Sequence, residues 1–424
     1  MLTLYEGKGK FVDFLAQKAD IVVRYNGGNN AGHTINANGV KYKFKLMPSG
    51  APLEKEGVIA NGCVVDPKIL LEEIENLRKL NKKVNLKLSS TAHVIFPFHR
   101  ILDGLEEKTK GNYAAGTTKR GIGPAYSDKA ARWGLRIFDL INPELLQSKL
   151  EKLFKIKKDL ISLYDPNVDI NLEAIYEEYK TYGEQLKPFV IDTTYYLNKA
   201  VDSGKKVLFE AAQGSLLSID FGMYPYGTSS NANALGISSG TGIPPKKIMK
   251  VIGIVKAYTS RVGEGKFPTE LFNETADKIR EQGHEYGTVT GRPRRVGWLD
   301  LFNIQYGIMI NGVDKVIITL LDALQGINPI KICIGYDLKG IQLESWPIQS
   351  ELIENCEPIY KTFEGWEEKT REEWLDIAKK GYDALPETMK TYIQAIKNIL
   401  KTDVAMVSIG PDRKETIVLE DVNF

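Results

Sequence analysis

Residues 21–34 read Ile-Val-Val-Arg-Tyr-Asn-Gly-Gly-Asn-Asn-Ala-Gly-His-Thr, an apolar run that gives way at once to glycines and amides. A mostly apolar run such as 21–25 reads as a buried strand, as in a parallel sheet covered by helices. Folds of that kind place ligands at the carboxyl ends of their strands, and the glycine-rich loop falls there. His33 is therefore set apart from His93, His99 and His284, which as lone histidines read as ordinary core or surface residues.

Other apolar runs, at 207–209, 251–255, 316–321 and 404–409, read as further buried strands. Between them lie helix signals. Asp66-Pro67 opens an amphipathic stretch with Leu70, Ile74 and Leu77 on one face, and Asn142-Pro143 opens another with Leu146, Leu150 and Phe154. Proline just inside a capping residue is preorganised for a first helical turn. Strand, glycine turn and helix in succession predict an α/β fold, a mostly parallel central sheet flanked by helices. Charged helical inserts are expected near 144–187 and 351–400, within one domain spanning 1–424. The aromatic residues Tyr360, Phe363, Trp366 and Trp374 read as local packing of the second insert.

The 424 residues carry a net charge of only +2, which gives no reason to expect nucleic acid as a partner. No apolar run reaches the ~18 residues needed to cross a bilayer. Cys63, Cys333 and Cys356 lack metal-ligand spacing and read as reduced thiols in a cytoplasm. The first motif follows Met1 too closely for a leader, so a cytoplasmic location is expected.

Several polar motifs are hard to explain by packing. Glu6-Gly7-Lys8-Gly9-Lys10 precedes an apolar helix start at Phe11 and Val12. Glycines at a helix start let backbone N–H groups approach a phosphate, and lysines add charge. The spacing is not that of a Walker A loop. Gly116-Thr117-Thr118-Lys119-Arg120-Gly121 offers hydroxyls and cations suited to a phosphate monoester. Glu210-Ala211-Ala212-Gln213-Gly214 follows the 207–209 strand, and Tyr224 to Asn231 supplies a second set of small donors. Thr290-Gly291-Arg292-Pro293-Arg294-Arg295 groups three arginines, which suits a small carboxylate or phosphate.

Taken in order, EGKGK (6–10), GGNNAGHT (27–34), GTTKRGIGPAY (116–126), AAQG (211–214), YPYGTSSN (224–231), KFPTEL (266–271), TGRPRR with VGWLD (290–300) and SIGPDR (408–413) resemble the adenylosuccinate synthetase family across nearly the whole chain. The resemblance implies a P-loop-like nucleotide-binding architecture and a homodimeric ligase joining L-aspartate to inosine monophosphate (IMP) with GTP and Mg²⁺. Position by position it implies catalytic roles for His33 and Lys8, and a metal-ligating carbonyl at Gly32. IMP would be held by Asn30, Thr118, Gln213, Thr228 and Arg292, with Arg132 reaching the nucleotide of a neighbouring subunit. Thr290, Arg292 and Arg294 would hold aspartate. Glu6, Gly7, Lys8, Gly9, Asp322, Ser408 and Gly410 would hold GTP.

Two positions depart from the family pattern. Leu4 and Tyr5 stand where the family has glycine and the aspartate that serves as general base and Mg²⁺ ligand. A phenol of ordinary pKa, about 10, is a poor base at neutral pH. An incomplete or altered amino terminus, or lost chemistry, is the expectation there. Residues 319–322 read Thr-Leu-Leu-Asp where the family has Thr-Lys-Leu-Asp, so guanine preference is expected to be weakened. Two other readings stay open: a bacteriophage-type sister enzyme acting on deoxyguanylate, able to use ATP, and a nucleotide-binding paralogue without turnover.

Overall fold

The computed structural model describes residues 2–3, 8–37, 40–111, 114, 116–286, 291 and 293–422. The chain divides into two compact units. One comprises Met1–Phe14, Gln213–Pro225 and Met249–Phe424; the other comprises Leu15–Ala212 and Tyr226–Ile248.

In the second of these, Ile21–Arg24 is buried throughout and lies parallel between Val207–Glu210 and Glu56–Ile59. Leu86–Ser89 and Val190–Ile191 extend the same parallel sheet. The expected helices are present. Pro67–Lys79 begins on Asp66, whose side chain accepts from the Ile69 amide, and buries Leu70, Ile74 and Leu77. Each such side chain contributes about 1.5–3 kcal/mol by leaving water. The insert forms Pro143–Tyr164 and Leu172–Leu186, which share Leu146, Leu150, Phe154, Ile175, Tyr179 and Leu186 in one apolar cluster.

The other unit is built on a sheet in the order Leu2–Thr3, Ile252–Lys256, Lys315–Thr319, Asp403–Ser408, Thr416–Val418, parallel except for the last strand. The apolar runs identified in the sequence are these strands, displaced by one or two residues. At the edge of this sheet Leu2 and Thr3 pair in parallel with Gly253 and Ile254.

The stretch 351–400 is mixed rather than wholly helical. Cys356–Phe363 pairs antiparallel with Ile330–Leu338, and only then come the helices Arg371–Lys380 and Glu387–Leu400. Pro358, with no N–H to donate, and the β-formers Ile359, Tyr360, Thr362 and Phe363 favour a strand there. Phe363, Trp366 and Trp374 are buried, as local packing requires. All three cysteines are buried free thiols. Among the described residues no helix is long and apolar enough to cross a membrane.

Candidate active site

The loop after Ile21–Arg24 is held by its amides. The Asn26 amide donates to Ser230 Oγ at 3.1 Å and its oxygen accepts from the Ala212 N–H at 2.9 Å. One asparagine thus joins three of the polar motifs, 26–34, 211–212 and 226–231. Close approach demands glycine beneath it: a Cβ on Gly62 would lie 2.0 Å from the Tyr25 carbonyl oxygen. Farther along, Asn30 donates to Thr228 Oγ1 at 3.3 Å and accepts from the Gly28 N–H at 3.3 Å. These two predicted site residues are therefore brought together.

His33 opens the strand His33–Ala37, which pairs antiparallel with Val40–Phe44. Its ring packs tilted against Phe44, with centroids 5.9 Å apart. Its Nε2 lies 3.9 Å from Glu210 Oε1, an ion-pair distance rather than a hydrogen bond. Glu210 is buried, but Ser49 holds both carboxylate oxygens, from its hydroxyl at 2.7 Å and its N–H at 3.0 Å. Burial pushes this carboxyl up; the charges of His33 and Arg24 and the Ser49 bonds outweigh it, leaving Glu210 below the ordinary glutamate value. A buried carboxylate is thus fixed behind the imidazole. Gly32 is exposed, with its carbonyl beside this group in sequence. Among the described residues no three His, Cys, Asp or Glu side chains gather closely enough to cage a metal ion.

The 116–121 loop hangs from the helix Pro97–Thr109. Thr117 Oγ1 and the Gly121 N–H donate to Asp103 at 2.7 and 2.8 Å, and the N–H groups of Gly116 and Thr117 donate to Glu107 at 2.6 and 3.0 Å. Thr118 is left exposed. Arg132 caps the helix Ile122–Ala131 in a left-handed conformation, φ +66°, and is exposed beside Trp133, itself 54% exposed. Gln213 is partly buried and belongs to the other unit.

In that other unit Asp322, Ser408 and Gly410 converge on the last residue of the motif 6–10. Lys10, in the first turn of Lys8–Ala16, donates to Ser408 Oγ at 2.6 Å, Gly410 O at 2.8 Å and Glu415 O at 3.2 Å. Burial lowers its pKa to about 8, against the raising influence of Glu415 and Asp322. The Leu321 N–H donates to Ser408 O at 3.3 Å, tying the Asp322 turn to the same strand end. Asp322 Oδ1 is out of contact with solvent and has no hydrogen-bond partner among the described residues. Burial raises its carboxyl to about 6. Leu320, just before it, adopts φ +59°, a conformation unusual for a bulky side chain. A Cβ on Gly410 would come within 2.3 Å of the Glu415 carboxylate, so only glycine fits there.

Of the arginine motif, Arg294 donates to Glu285 Oε2 at 2.9 Å. Thr290 and Arg292 lie outside the described residues, as do Leu4, Tyr5, Glu6 and Gly7; of Lys8 and Gly9, the backbone opens the helix.

The comparisons with known proteins agree with one another. The sequence model of the family described as adenylosuccinate synthetase matches residues 5–417 and so spans both units. An adenylosuccinate synthetase of Thermoanaerobacter sp. (strain X514) is 49% identical over 418 residues, 98% of this chain and 97% of that protein. The structure of fully ligated adenylosuccinate synthetase from Plasmodium falciparum superposes with a TM-score of 0.91 at 41% identity, covering 98% of this chain and 99% of that one. A cyanophage S-2L succinoaminodeoxyadenylate synthetase, bound to dGMP and dATP, shares the fold at 21% identity and a TM-score of 0.60, covering 98% and 94%.

Proposed function

Because the chain belongs to the adenylosuccinate synthetase family, ligases of purine biosynthesis that form a carbon–nitrogen bond, we propose that it joins L-aspartate to IMP at the expense of GTP. The 6-oxo group of a purine is a poor leaving group. Transfer of the γ-phosphoryl group to that oxygen makes it a good one, and the aspartate amine then displaces phosphate. The protein's part is positioning and charge stabilisation.

The observation that carries this reading is the buried, unpartnered Oδ1 of Asp322 beside Lys10, Ser408 and Gly410. A shielded acceptor without a partner costs about 1–3 kcal/mol, and guanine, with adjacent N1–H and 2-amino donors, supplies what adenine lacks. Glu6, Gly7, Lys8 and Gly9 would take the phosphates at the helix start, with Lys8 following the charge as it moves. His33, backed by Glu210, would donate to the phosphoryl oxygens. Asn30, Thr118, Gln213, Thr228 and Arg292 would hold IMP, and Arg132 the nucleotide of a partner subunit in a homodimer. Thr290, Arg292 and Arg294 would receive aspartate.

Enzymes of this family need Mg²⁺. The exposed Gly32 carbonyl fits a hard cation, and the lack of an acidic cage among the described residues fits an ion held mainly by substrate phosphates and water. When bound, it would neutralise charge on the phosphoryl oxygens. We assign all 424 residues to one functional domain and the protein to the cytoplasm, without nucleic-acid or membrane partners. Adenylosuccinate formation from IMP, L-aspartate and GTP tests the proposal; product from deoxyguanylate instead would replace it with the phage-type activity.

A further inference from the structure

Glu285 is 1% exposed, yet its carboxylate is fully engaged. Lys256, 2% exposed, donates to Oε1 at 2.5 Å and also to Ser260 Oγ at 2.6 Å. The Tyr258 hydroxyl donates to the same Oε1, and Arg294 takes Oε2. The local sequence makes room for this cluster. A Cβ on Gly283 would come within 2.1 Å of the Tyr258 hydroxyl, and His284 turns the chain at φ +51° out of the helix Glu274–Gln282.

The backbone closes at the same place. The Arg294 N–H donates to Glu285 O at 2.8 Å, Tyr286 and Pro293 form an antiparallel bridge, and Arg280 Nε donates to Arg294 O at 3.1 Å. Tyr286 and Pro293 therefore form a neck, with Glu285 and Arg294 on either side of it. Lys256, which is buried, and Arg294, 13% exposed, thus share one buried carboxylate.

We propose that Glu285 is a positioning residue for amino-acid binding: it fixes the Arg294 guanidinium and the neck of segment 287–292, with Lys256 and Tyr258 holding its carboxylate in turn. This rests on the reading of 290–294 as the aspartate-binding segment. A purely structural ion pair would, if weakened, lower stability and affect all substrates alike. A positioning role acts on one substrate.

The test compares the wild-type chain with Glu285→Asp, which keeps the charge but withdraws the carboxylate by one methylene, and with Glu285→Gln. Glu285→Asp is expected to keep its Tm while raising KM for L-aspartate about 10-fold and those for IMP and GTP less than about 3-fold. Hydrogen exchange at the Arg294 amide should be faster in both variants. Equal losses for all substrates, or an unchanged KM for L-aspartate, would overturn the proposal. So would unchanged exchange at the Arg294 amide, a readout that needs neither turnover nor a correctly identified ligand. If calorimetric titration finds no L-aspartate binding to the wild-type chain with IMP and GDP present, the assignment of the segment fails, and the exchange result still decides the role of Glu285.

Discussion

The ammonium of Lys10 lies 2.6 Å from the Ser408 hydroxyl, 398 positions away in the chain, and so joins the first turn of Lys8–Ala16 to the end of the strand Asp403–Ser408. The same ammonium influences Asp322, whose free oxygen is the proposed guanine acceptor. In the proposed GTP site, one cation would therefore link the phosphate end to the base end.

Asp322 sets a pH dependence whose sign is opposite for binding and for stability. Burial raises its carboxyl to about 6, above the unfolded value, so between roughly pH 4 and 6 the folded chain holds the extra proton. Its contribution to stability is full below that window and is lost as pH rises through about 6. Guanine needs the ionised form. GDP affinity should fall as pH drops from 7 to 5, approaching tenfold per unit below the carboxyl pKa, while Asp322→Asn should abolish this dependence and raise the Tm of the ligand-free chain at pH 7. Titration calorimetry across that range, with thermal melts, checks both.

Leu320 gives the base site an apolar neighbour without charge, in a left-handed backbone position. The ratio of GDP to ADP affinity should still favour GDP, because Asp322 remains. Leu320→Lys should increase that ratio by adding a cation near the base. Equal binding of GDP and ADP by the wild-type chain would count against guanine recognition at Asp322.

Arg132 is exposed at a helix end beside an exposed Trp133, a placement suited to a neighbouring subunit. Mixing equal amounts of Arg132→Leu and His33→Asn, each inactive alone, should restore about a quarter of wild-type activity, since about half of the dimers are hybrids and each rebuilds one complete site of two. No recovery in a mixture shown to exchange subunits would exclude a shared site.

Much of this was legible in the sequence, for a physical reason. Buried parallel strands are continuous apolar runs, and the loops that follow them are conspicuously polar, so 21–34 announced both a strand and a ligand loop. His33 and Glu210, at strand ends beside such loops, come together, as do Asn30 and Thr228 within them. Asp103, Glu107 and Glu285 were not legible. Each is a single polar residue whose partner is set by tertiary folding, and neither period nor spacing distinguishes it from a solvated charge. Cys356–Phe363 was hidden by the charged helices that follow it, and the pairing of Leu2–Thr3 by its two-residue length.

The most direct test measures adenylosuccinate formed from IMP, L-aspartate and GTP with Mg²⁺, by the chain and by Tyr5→Asp. Tyr5 stands where the family pattern has the aspartate proposed to take the N1 proton, and a general base is worth about 10²–10⁴-fold. Just before it in sequence, Leu2 and Thr3 pair in parallel with Gly253 and Ile254. The account predicts product that requires all three substrates, formed slowly by the chain and at least about 10²-fold faster by Tyr5→Asp, with IMP binding unchanged. Product from deoxyguanylate and ATP but not from IMP and GTP, or none from Tyr5→Asp with any of these substrates, would contradict it.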